Sequence, residues 1–206
     1  MTSAAEPAAK PRGRNPRGQG ERLREEIVSA ALTLLEELGD DEALSMRAVA
    51  RATGTAATSV YLHFSDRDAL VLAALERCHG DLVRTVDAVG GEAGDPVAGL
   101  RARALVLGTW AYEHPGLYKV LHESTLGRRA EMPFKSQVGD RMTAAVRECM
   151  RAGLVPEDDA AQVALDLRAA VHGAVSMRLN QPDHAWPPLE EQIERFLVKL
   201  VGVPAS

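Results

Sequence analysis

From Glu21 onward, apolar side chains recur with helical spacing. Leu23, Ile27, Ala30, Ala31, Leu34, Leu35 and Leu38 step by 4, 3, 1, 3, 1 and 3 along one face. Gly39 follows as the positive-φ residue that closes such a helix. The spacing next predicts a short helix over Met46–Thr53, with the Ser45 hydroxyl capping its exposed amides and Gly54 breaking it. A third helix is expected from about Ala56 to Phe64. A fourth should start at Ser65, where Ser65-Asp66-Arg67-Asp68 has the form of a capping box, and run to roughly Val89. Gly90, Gly91, Gly94 and Pro96 mark a loop. Helical patterns then occupy about 96–113, 116–124, 134–152, 157–179 and 188–201. Pro96, Pro115, Pro133, Pro156, Pro187 and Pro188 sit near the joints, where proline can start a helix but would damage an interior. No alternating strand pattern of useful length and no internal repeat is present, so the expected fold class is all-α.

Composition changes this picture little. Across 206 residues, 46% are hydrophobic and 26% charged, ordinary values for a soluble globular chain. No apolar run approaches the roughly 20 residues that cross a bilayer. The first residues lack the apolar stretch of a secretory signal, so a cytoplasmic location without a membrane partner is expected. Cys78 and Cys149, far apart and outside any CxxC pattern, are expected to be free thiols.

Charge is more informative in its distribution than in its total. The net charge is −5, yet residues 1–20 carry Lys10, Arg12, Arg14 and Arg17 against Glu6, leaving −8 for the rest. The stretch KPRGRNPRGQG, residues 10–20, suits both a solvated tail and a nucleic-acid-binding arm. An acidic body does not exclude nucleic acid when basic groups cluster at the contact.

The segment Leu44–Leu70, LSMRAVARATGTAATSVYLHFSDRDAL, decides between them. It has the physics of a helix-turn-helix: two short helices, a glycine-containing turn, and a second helix small enough for a major groove. Val60 and Phe64, four residues apart, anchor that second helix to the core. Thr55, Ala57, Thr58, Ser59, Leu62 and His63 are left for its other faces. Small and hydroxyl-bearing side chains there permit close approach to bases and phosphates.

In Ser45, Arg47, Val49-Ala50, Gly54, Val60-Tyr61-Leu62-His63-Phe64, Asp66-Arg67-Asp68 and Leu70, the chain resembles the DNA-binding domain of TetR-family transcriptional repressors. The resemblance covers roughly Glu21–Gly80. It implies phosphate contacts from Tyr61, His63 and Arg67, further contacts from Ser45 and Arg47, and Thr55 through Ser59 (Thr55, Ala57, Thr58, Ser59) facing the major groove. Ala56 stands where the family often has a capping serine, so Thr55 is expected to take over the cap. Arg67 replaces the more usual lysine and offers a forked donor. The arm gains a role by its position: Arg12, Arg14 and Arg17 are expected to add phosphate or minor-groove contacts, and Arg12-Gly13-Arg14 resembles an AT-hook core with Asn15 in place of proline.

The expected layout is thus a basic arm over residues 1–20, a helix-turn-helix domain over 21–80 with its motif at about 45–64, and a ligand-binding and dimerisation domain over 81–206. The last of these resembles the family's C-terminal portion, more weakly a subgroup carrying a Trp and a His-Gly pair. The residues concerned are Trp110, Tyr112 through Tyr118, and His172-Gly173. A homodimer through the last two long helices is implied. Independently, Leu189, Ile193, Phe196, Leu197, Leu200 and Val201 form an apolar stripe, and Ala160–Leu179 is rich in Ala and Gly. Part of that stripe could instead pack within the subunit. A ligand would lie in an apolar cavity among the C-terminal helices, with Trp110, Tyr118, His122, Phe134, Met142, His172 and Met177 as candidate lining. Plain core packing is the competing role for each of them.

Phosphate-loop, HExxH, GxSxG and paired Cys/His patterns are missing, so no catalytic residue, metal or cofactor is expected. The expected function is a dimeric repressor of a pseudo-palindromic double-stranded DNA operator, released by a small apolar ligand not identified by the sequence. The alternatives are a DNA-binding module of the same fold without a ligand response, and an all-α enzyme or carrier.

Overall fold

The computed structural model describes residues 19–124, 126 and 130–205. Arg12, Arg14 and Arg17 lie outside the described residues. Every regular element among the described residues is helical. In order these are α1 (Gln19–Leu38), α2 (Met46–Ala52), α3 (Ala57–His63), α4 (Arg67–Gly91), α5 (Pro96–Glu113), α6 (Pro115–Glu123), a 3-10 turn (Pro133–Lys135), α7 (Ser136–Arg151), α8 (Ala160–Asn180) and α9 (Leu189–Phe196). A π turn, Leu197–Val201, continues α9.

Local chemistry accounts for most boundaries. Ser45 caps α2 by accepting from the Ala48 amide at 3.2 Å. Gly54 ends it with φ of +65°, while the Thr55 amide reaches back to the Ala50 carbonyl at 2.9 Å. Two expected caps are corrected. At α4 the capping residue is Asp66, whose carboxylate accepts from the Ala69 amide at 2.8 Å, and Ser65 merely donates to Asp66. A carboxylate is the stronger acceptor, so it wins the position. At α3 no side chain caps the helix, because the Thr55 hydroxyl pairs with Thr53 Oγ1 at 3.0 Å.

Two cores organise the chain. The first gathers Ile27, Leu35, Val49, Val60, Phe64, Leu70 and Leu75 from α1–α4, but also Leu117, Val120 and Leu121 from α6. The second joins α5, α7, α8 and α9 around Leu100, Met142, Val146, Leu167, Ile193 and Leu197. Between α1 and α6 the backbones nearly touch, so that a Cβ on Gly116 would collide with the Glu36 carbonyl oxygen. The Glu36 carboxylate then accepts from the Gly116 and Leu117 amides at 3.0 and 3.2 Å, capping α6 from a residue on a different helix.

The C-terminal stripe divides. Ile193 and Leu197 are buried inside the subunit, at 2% and 1% exposure. Leu189 and Phe196 are half-buried, and Leu200 is exposed. The reason lies on α5: Gly108 leaves a notch against which the Leu189 and Ile193 side chains seat. On α8, nothing among the described residues lies within 4 Å of a Cβ placed on Gly173.

Candidate functional site

On the helix-turn-helix, Val60 and Phe64 are buried and hold α3 against α1, α2 and α4. That leaves Thr58, Tyr61 and Leu62 facing outward, Leu62 at 85% exposure. Thr55, Ala57, Ser59 and His63 are half-buried around the same helix. Arg47 and Arg51 are exposed on α2, and the guanidinium of Arg24 on α1 stacks 5.0 Å over the Phe64 ring. Ser45 is exposed but its oxygen serves the helix cap. Arg67 is more committed than the sequence suggested. It donates to the Asp68 carboxylate at 2.9 Å and to the Glu42 carbonyl at 3.2 Å, with buried Asp41 close enough to act on it. Gly20, at the start of α1, lies beside the His63 ring. Arg51, for which the sequence offers no role, is exposed on α2, and Leu62 is turned outward as the spacing of Val60 and Phe64 requires.

The second feature is a cavity of about 100 Å³ enclosed by α4–α8 and the 3-10 turn. Its walls are apolar, built from Leu82, Leu107, Leu121, Val138, Leu167 and Val175 among others. Of the expected lining residues, Trp110, Tyr118, His122, Met142 and His172 face it, while Phe134 and Met177 do not. Phe134 packs on the far side of His79, ring centres 5.4 Å apart, and Met177 points outward at 50% exposure. The polar groups converge at one end. The Tyr118 hydroxyl pairs with His172 Nδ1 at 2.5 Å, and the His122 ring packs beside both, its centre 4.6 Å from that of Tyr118 and 4.8 Å from that of His172. Lys135 donates to the Leu121 carbonyl at 2.6 Å.

These groups tune one another. Burial, followed by His172, Lys135, Arg168 and His79, pushes His122 down to about 4. With that shift its imidazole is neutral near pH 7. Burial, then Lys135, also lowers His79. Burial lowers Lys135 and pushes Tyr118 up to about 12. His79, Lys135 and Arg168 were not foreseen as lining. His79 falls on the apolar stripe of α4 with Leu75, Leu82 and Val86, and a polar residue there was the one signal on offer.

Comparison with known proteins matches both halves of the chain. Residues 27–74 match the family described as bacterial regulatory proteins, tetR family. Residues 100–200 match the tetracyclin repressor-like C-terminal domain. An uncharacterised HTH-type transcriptional regulator of Mycobacterium tuberculosis is 28% identical over 187 residues, 86% of this chain and 84% of that protein. Among solved structures, the regulator FadR of Bacillus subtilis in complex with stearoyl-CoA superposes with a TM-score of 0.72, at 16% identity, covering 86% of this chain and 97% of that one. SmeT, the repressor of the Stenotrophomonas maltophilia multidrug efflux pump SmeDEF, gives 0.67 at 22% identity, covering 87% and 88%. These structures share the fold.

Proposed function

Because the chain belongs to the TetR family of DNA-binding transcriptional regulators, we propose that it is a homodimeric repressor released from a pseudo-palindromic operator by a small molecule held in the α4–α8 cavity. One observation carries the ligand response: α6 supplies Tyr118, Leu121 and His122 to the cavity and is capped by Glu36 of α1, the helix that backs the helix-turn-helix. A ligand that moves α6 must move or break this join. It acts only so far as it binds the non-operator geometry more tightly than the operator geometry. SmeT is a named repressor and the FadR structure holds an acyl-CoA, which supports the reading by analogy.

At the DNA, Thr58 and Leu62 meet base edges, Leu62 offering an apolar surface to a thymine methyl. Tyr61, His63, Arg47, Arg51 and Arg67 meet phosphates, with Ser45, Thr55, Ala57 and Ser59 close to the backbone at the helix starts. Gly20, where the arm joins α1, lies beside the His63 ring, and Arg12, Arg14 and Arg17 of the arm add phosphate or minor-groove contacts. The second subunit seats on α8, where Leu165, Ala169, Gly173 and Met177 recur every fourth residue on an exposed face, with Leu200 as a further exposed apolar side chain.

A gel shift with DNA upstream of the protein's own gene, run across salt concentrations, tests the reading. A sequence-specific complex that weakens with salt is expected; none at any salt would overturn it.

A further inference from the structure

We propose that the cavity takes an apolar molecule ending in one carboxylate, with Lys135 and Arg168 as its charge partners. This rests on the cavity being the effector site and names the chemistry of the effector. Among the described residues, two permanent cations line the space and no carboxylate does. Arg168 has no hydrogen bond or ion pair among the described residues. Lys135 spends one N–H on the Leu121 carbonyl, leaving two. Glu123, the acid whose field reaches Tyr118, is on the exposed side of α6.

A second observation points to a ligand. His79 is 4% exposed and lines the cavity, yet its Nδ1 has no hydrogen-bond partner. Buried polar atoms are ordinarily satisfied, and this orphan sits in the cavity wall, where a small side-chain shift would bring it to a polar group that the chain itself does not supply. The apolar walls fix the remainder of the molecule as hydrocarbon or aromatic. An amine in the same place would set like charges together, and an alcohol would bring the two cations no counter-charge. Burial lowers Lys135, and burial followed by the nearby His172, Lys135 and Arg168 lowers His122, as expected where no anion stands among these groups.

Calorimetric titration of the full-length protein with octanoate, octan-1-ol and octylamine tests this. Octanoate should bind at least tenfold more tightly than octan-1-ol, and octylamine more weakly than either. Arg168→Met should cut octanoate affinity fivefold or more and leave octan-1-ol unchanged, while Arg168→Lys retains most of it. Lys135→Met, which also removes the hydrogen bond to the Leu121 carbonyl, should lower octanoate affinity in the same direction, with helicity checked by circular dichroism. Equal affinity for the alcohol or the amine, no measurable octanoate binding, or Arg168→Met without effect would each overturn the assignment. The same samples run in the gel shift keep the two readings apart. Octanoate bound without operator release defeats the release mechanism alone; operator release by octan-1-ol with no octanoate bound defeats the carboxylate alone.

Discussion

Tyr61 and Thr58 stand on one exposed face of α3 but differ in what they can read. A phosphate contact positions the protein without specifying sequence, so Tyr61→Phe should weaken binding to all operators alike, by about 1 kcal/mol or roughly fivefold. Thr58→Ala should instead reorder preference among operators differing at a single base pair. Competition binding on a small operator panel separates the two behaviours. Within the cavity, His122 titrates near 4 in the folded chain, below its ordinary value near 6.5. As pH falls, the unfolded chain therefore takes up the proton first, and stability is lost between about pH 6.5 and 4. His122→Asn should flatten that loss in urea midpoints measured across the window. It should not abolish it, because His79 is shifted in the same direction. An unchanged pH profile would mean that His122 titrates normally.

Helix by helix, periodicity and punctuation read well. The expected span 96–113 is α5 residue for residue, and Gly54 takes the positive φ its turn demands. Caps read less well, because Ser65 and Asp66 are both competent acceptors, and the stronger carboxylate takes the Ala69 amide while Ser65 donates to it. That part of the α9 stripe could pack within the subunit was legible, but not which of its residues do so. A burial pattern names the apolar face of a helix but not the surface that covers it, and the notch at Gly108 is set by tertiary packing. The Glu36 cap is hidden for the same reason: 80 residues separate it from Gly116, with no local pattern joining them. Glu36→Ala should cost about 1 kcal/mol through removal of the cap. It should also reduce the effect of ligand on operator affinity more than it reduces either binding alone. Gly116→Ala, which pushes a methyl into the α1 backbone, should cost about 1–3 kcal/mol. Thermal melts and a ligand titration of the gel shift check both.

For the assembled molecule, the exposed α8 face is the test of dimerisation. Gly173→Arg should give a monomer by size-exclusion chromatography and reduce operator affinity by roughly 100-fold, since the two half-sites are then bound independently. Persistence of the dimer would remove α8 from the interface. Deleting residues 1–18 should lower affinity and flatten the salt dependence by about 0.9 in slope for each phosphate that the arm had neutralised. An unchanged slope would leave the arm without a part in binding.

The shared core of α1–α4 and α6 has a consequence for protein engineering. A helix-turn-helix cut from this chain after α4 would expose the apolar faces that Leu117, Val120 and Leu121 cover, and would leave Glu36 with no helix to cap. The reading head is therefore not a portable cassette. A chimera that transplants it onto another sensor should fold and respond only if α6 travels with it, and swaps made at the α4–α5 loop should yield insoluble or unresponsive hybrids.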